Sequence, residues 1–209
     1  MSAVTLGESL ALHGWENFYV IVGSSAAALT GLTFIVITIS SSDASNLART
    51  PESRLRGLRA FITPIAVHFC SALWLSVLLS VPGQTASSLA ICLAVTGALG
   101  VVYCVRVIRW MLEILADYKP FITDWIWNAI LPTFAYLGLL AGALLLRGYP
   151  STSLYVVGAI TVLLLSIGIH NAWDVVAWTT TERHAHKYRP RHIGQPPRDD
   201  SVNGPGDAT

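Results

Sequence analysis

Charge is what this chain has least of. Asp, Glu, Lys and Arg make up 12% of its 209 residues, against roughly a quarter in a soluble domain. With 53% hydrophobic residues and a mean hydropathy of +0.57, the shortage argues against an ordinary water-soluble fold. Net charge is only +1, and no basic stripe with interleaved aromatics exists, which leaves no case for a nucleic-acid partner. The three cysteines, Cys70, Cys92 and Cys104, are odd in number, lie in apolar runs and form no CxxC. They read as inert packing residues. Residues 1–15 hold no Lys or Arg, which argues against the positive n-region of a cleaved signal peptide. No HExxH, phosphate loop, Ser/His/Asp arrangement or paired carboxylates occur, so an enzyme is the less favoured class. No catalytic residue and no metal site is assigned.

What is present is apolar sequence in long unbroken runs, the pattern of membrane-spanning helices. Five spans are expected. The first runs from Glu16 to Ser41 and the second from about Ala60 to Val81, ending at Pro82-Gly83. The third runs from Leu89 to Val105 and becomes amphipathic towards Pro120. The fourth runs from Trp125 to Leu146, and the fifth from Thr152 to Trp178. Residues 1–15 form an extracytoplasmic lead, residues 16–180 an all-α transmembrane bundle, and residues 181–209, rich in Pro, Gly and charge, a disordered cytoplasmic tail.

Basic residues set the orientation. Arg49, Arg54, Arg56 and Arg59 occupy the first connection; Arg106, Arg109 and Lys119 flank the third; Arg183, Lys187, Arg189, Arg191 and Arg198 lie in the tail. Arg147 alone falls on the other side. The positive-inside rule then puts the N-terminus outside and the C-terminus in the cytoplasm. Arg in preference to Lys, with abundant Ala, points to a bacterial source and hence to the inner membrane. A faint repeat accompanies this arrangement. At an offset of 68, Pro64 matches Pro132, Pro82 matches Pro150, Gly100 matches Gly168, and Arg106 falls on Asp174. Spans two–three and four–five would then be two copies of one hairpin, with the first span outside them.

Polar groups inside lipid are costly and therefore candidates for function. Counting along each span brings His68, Arg106, Asn128, His170, Asn171 and Asp174 into one layer near the cytoplasmic side. Asp174 stands one helical turn from His170. Pro132 removes the amide that would bond the Asn128 carbonyl, leaving a free acceptor and a kink. The layer has three readings: an ordinary helix-end network, a proton or ion path through His68 and His170, or a pair of axial ligands to haem b. In the tail, His184, His186 and His192 fix no metal geometry, and the basic residues there suit anionic lipid.

The first span has a less apolar face carrying Glu16, Gly23, Ala27, Thr30, Phe34 and Thr38. Small residues at four-residue spacing allow close helix approach. That face either packs on the other spans, with Thr30 and Thr38 bonding back to their own helix, or lines the axis of a homo-oligomer, with Glu16 as an acidic ring and Phe34 as a constriction. The stretch WENFYVIVGSSAAALTGLTFIVITIS resembles the first helix of small bacterial inner-membrane proteins of unknown activity, which carry a similar AALTGL segment after an aromatic-acidic lead. Some of those proteins are labelled modulators of a membrane-bound AAA protease. Residues and resemblance together imply a non-enzymatic structural or regulatory membrane component, without cofactor, in contact with the bilayer and with copies of itself. The alternatives are an oligomeric ion or proton channel or transporter, and a haem b protein using His68 and His170.

Overall fold

The computed structural model describes the backbone of residues 14–43, 51–114 and 122–187, and the side chains of residues 14–36, 38, 63–113 and 122–177. The described residues are helical apart from short turns and contain no strand. Five helical stretches follow in order: α1 (Glu16–Asp43), α2 (Pro51–Leu79), α3 (Ala86–Ile114), α4 (Ile122–Leu145) and α5 (Pro150–Lys187). Four of them are long and apolar enough to cross a membrane, over Glu16–Val36, Ala86–Glu113, Ile122–Leu145 and Pro150–Ala177; α2 contributes a shorter apolar stretch, Thr63–Leu79. The lead of residues 1–13, the connections 44–50 and 115–121, and the tail from residue 188 lie outside the described residues. So do the side chains of Arg54, Arg56, Arg59, Arg183, His184, His186 and Lys187.

Local chemistry fixes the helix ends. Pro51 stands first in α2, where its missing amide costs nothing, so helix begins within the polar connection and ahead of the apolar run. After Leu79 the chain turns through Gly83, whose φ of 69° suits a residue without a side chain. The Thr85 hydroxyl accepts a bond from the Ser88 amide at 3.2 Å and caps α3. Pro150 opens α5, which continues unbroken to Lys187, past the expected start of the tail.

Packing is organised by side chains seated on glycines. Gly100 of α3 lies directly under the Tyr136 ring of α4. A Cβ added at Gly168 of α5 would stand 2.5 Å from the Phe69 ring of α2. Trp15 sits on Gly158 and Ser76 on Gly23 in the same manner. Together with the bond from Trp74 Nε1 to Thr96 Oγ1 at 3.1 Å and the seating of Val157 on Gly142, these contacts make consecutive helices antiparallel. One end of the bundle therefore holds Trp15, Glu16, Arg147 and Tyr155, and the other holds Arg106, Arg109, Asp124, His170 and Asp174.

The close pairs are α1 with α2, α2 with α5, α5 with α4 and α4 with α3, while α2 touches α3 only lightly. α1 lies outside, on α2 and on the start of α5. The glycines matched at an offset of 68, Gly100 and Gly168, are both ring seats, although the rings on them, Phe69 and Tyr136, stand 67 residues apart. In each half the proline-bearing helix places a ring, Phe69 or Tyr136, on the glycine of the partner helix from the other half. His68 and Tyr136, 68 residues apart, touch each other. The halves are not identical, since α4 packs closely on α5 whereas α2 stands away from α3.

Gly168→Ala should force the Phe69 ring to move and cost about 1–3 kcal/mol, read as a lower unfolding midpoint in detergent. Ala159→Ser, at an exposed site on the same helix, should stay within about 0.5 kcal/mol. Equal midpoints for the two variants would show that the glycine contact does not hold the helices.

Candidate functional site

Two polar groups stand out. The first lies in the interior between α2, α3 and α4. His68 is only 1% exposed, and its Nδ1 lies 3.4 Å from the Tyr136 hydroxyl. That hydroxyl is 3.0 Å from Ser71 Oγ. If Tyr136 donates to His68, it is free to accept from Ser71, and the imidazole proton then sits on Nε2. Tyr103 presents its ring to His68 edge-on, with centroids 6.1 Å apart. Its own hydroxyl has no hydrogen-bond partner. Cys104 is buried beside them. These contacts are with neutral hydroxyls and rings, and the interior around His68 is filled by two tyrosines.

The second group lies at the end that carries Arg106 and Arg109. Here the fourth helix changes register. Residues Ile126–Ile130 are π-helical, and the Leu131 amide bonds to the Ile126 carbonyl five residues back. The cause is Pro132, which has no amide to offer Asn128 and whose ring crowds that carbonyl. The register change touches the Trp127 carbonyl as well as that of Asn128. The Trp127 carbonyl has lost its α-helical donor, Leu131, to Ile126, and its π-helical donor would be Pro132. Asn128 is half-buried and donates from Nδ2 to the Asp124 carbonyl at 3.2 Å.

The π-segment turns Trp127 onto His170 of α5. The two rings stack with centroids 3.7 Å apart and planes 18° from parallel. His170 Nε2 lies 3.3 Å from Asp174 Oδ2. It is also without a hydrogen bond, so the contact is a close approach off the bonding direction. Asp174 is 57% exposed, a setting in which such a pair contributes little. Asn171 is buried, and its Nδ2 has no partner.

The six residues placed in one layer by counting thus fall into separate surroundings. His170 and Asp174 meet, with Trp127 stacked on the imidazole. His68 belongs to the interior group with Ser71, Tyr103 and Tyr136. Arg106 is exposed on α3, and among the described residues it forms no ion pair with Asp174. Depth counting missed Tyr136, although it is the residue matched to His68 by the 68-residue offset. It also missed the Trp127 stack, for which matched depth from one end was the available signal.

The less apolar face of α1 is divided as well. Tyr19, Val22, Gly23 and Ala26 are buried and Thr30 is half-buried, while Ala27, Phe34 and Thr38 are exposed. The buried stripe is rotated towards Tyr19, whose large ring fills the space against the bundle. Thr30 bonds back to the Ala26 carbonyl at 2.7 Å and Thr38 to the Phe34 carbonyl at 2.8 Å. Glu16 is exposed at the first turn of the helix.

Comparison of the chain with protein-family models, with curated proteins and with solved structures gives no match.

Tyr136→Phe keeps the ring on Gly100 but removes the hydroxyl shared by Ser71 and His68. The expected loss is about 1–3 kcal/mol of stability, measured by thermal unfolding in detergent. Tyr103→Phe removes a hydroxyl with no partner and should leave the midpoint unchanged or raised. The reverse order would contradict the hydrogen-bond assignment.

Proposed function

We propose that this chain is a multi-pass protein of a bacterial inner membrane, with five crossings, the N-terminus outside and the C-terminus in the cytoplasm. Its role is structural or regulatory rather than catalytic, and it works as a homo-oligomer. The observation that carries the reading is the filled interior. Where a channel or a cofactor would need space, Tyr136 covers Gly100 and the His68 group is closed by Tyr103 and Ser71. Supporting the orientation, helix alternation puts Arg106 and Arg109 at one end and Arg147 at the other, and the basic connection and tail follow the first group along the chain. Supporting self-association, Ala27 and Phe34 of α1 are exposed among the described residues.

A second reading, conduction of ions or protons, finds its support at an oligomer axis lined by α1 and not within one copy. A haem b reading would have to draw His68 away from Tyr136 and His170 away from Trp127.

Three measurements on detergent-purified and reconstituted protein separate these readings. Liposomes containing the protein should hold a proton or potassium gradient as empty liposomes do. The absorption spectrum should show no Soret band, and His68→Ala should alter stability alone. Gradient loss that Glu16→Gln changes would establish conduction in place of a structural role; a Soret band lost in His68→Ala would establish haem. A reporter fused at the C-terminus should be active only as a cytoplasmic marker.

A further inference from the structure

At the Asp174 end of the bundle, two backbone acceptors and one buried donor lack their ordinary partners. The acceptors belong to α4. The Leu131 amide is taken by the Ile126 carbonyl and Pro132 has no amide, so neither Trp127 nor Asn128 receives the bond that an α-helix would give its carbonyl. The donor is Asn171 Nδ2 of α5. The residue is 7% exposed and the amide nitrogen has no hydrogen-bond partner, a costly state for a buried polar group.

Helical phase brings donor and acceptors together. Ile160 of α5 faces Gly138 of α4, where an added Cβ would stand 2.7 Å from its Cδ1. Asn171 follows Ile160 by eleven residues, about three turns, and therefore points towards α4 as well. Eleven residues back along α4 from Gly138 stands Trp127, and the ring stack with His170 independently places Trp127 at this level. On the α2 side, Phe69 covers Gly168, and the next turn of α2 offers Ile65, which is buried and apolar. Within the π-segment the buried residue is Ala129, whose side chain is a methyl group.

We infer that the π-segment of α4 and Asn171 of α5 form a binding site for one structural water molecule, which accepts a bond from Asn171 Nδ2 and donates to the Trp127 and Asn128 carbonyls. About three bonds to otherwise unsatisfied groups are what a buried water makes. The unpaired side-chain atom is a donor, so its counterpart must accept, which a bare metal cation cannot do. The carbonyls need a donor, and water is both. In this position it gives the π-register the bonds that Leu131 and Pro132 withhold, and so holds Trp127 over His170. Asn171 is a positioning residue for that turn. The inference does not depend on the oligomeric reading.

Nuclear magnetic resonance of the full chain in detergent, with isotope-labelled asparagine, reads the water directly. The Asn171 side-chain amide is identified by its absence from Asn171→Leu or, if that variant does not fold, from Asn171→Ser. Its protons should show cross-relaxation with water, of the sign given by a long-lived neighbour and not by proton exchange. In Pro132→Ala, where Asn128 regains a donor and Leu131 can return to Trp127, that signal should be lost. No water signal in the wild-type protein, or one that persists undiminished in Pro132→Ala, would overturn the site. Infrared spectra with carbonyl-labelled tryptophan give a second reading, the Trp127 band being isolated by subtraction of Trp127→Phe. The band should lie at the frequency of a bonded carbonyl and move up in Asn171→Leu; a free-carbonyl frequency in the wild-type protein would overturn the inference. Replacing sodium and potassium by choline should change neither signal, and loss of either would overturn water in favour of a metal ion.

Discussion

The close approach of helices at glycines filled by aromatic rings is the contact on which the rest of this molecule depends. Between apolar helices in an apolar surround, burial of oily surface gives little preference for one arrangement over another. Shape has to decide. Tyr136 over Gly100 fixes how α4 lies on α3, and Phe69 over Gly168 fixes how α2 lies on α5. Since those contacts connect the two halves of the chain crosswise, they also bring the proline-bearing helices α2 and α4 together, and with them His68 and Tyr136. The interior polar group is thus a by-product of ring placement: the ring that fills the glycine seat carries the hydroxyl that satisfies the histidine.

The second polar group has a separate origin in the backbone. Pro132 cannot donate an amide, so the helix before it widens to a π-register. That extra residue swings Trp127 across to His170. One proline accounts for a free carbonyl, a ring stack and the placement of the imidazole beside Asp174. The first group is sealed by rings, whereas in this one Asp174 is more than half exposed.

Much of this was legible in the residues. Long apolar runs marked out the helices, and the punctuation Pro82-Gly83 and Gly148-Tyr149-Pro150 marked their ends. Pro132 signalled an irregular fourth helix, and the structure places a π-helical segment, Ile126–Ile130, directly before it. Depth was readable by counting; lateral position was not. His68 and His170 stand at comparable depths, yet one faces Tyr103 and Tyr136 and the other faces Trp127. Nothing along a single helix encodes which neighbour will lie beside it when nearly every position is apolar. α1 illustrates the same limit. Its small residues suggested a packing face through Ala27 and Phe34, but the large ring of Tyr19 turned the buried side towards Val22 and Ala26. The 68-residue offset was the one sequence signal with lateral information, since it couples residues on different helices.

The glycine seat can be tested by a double-mutant cycle on Gly100 and Tyr136, with unfolding free energies measured in detergent for Gly100→Ala, Tyr136→Leu and the pair. If the ring rests on the glycine, each single change destabilises, and the pair costs less than their sum by about 1 kcal/mol or more, because the smaller side chain makes room for the new methyl group. Strict additivity would contradict it, since the two residues would then act independently and something other than this contact would hold α3 to α4.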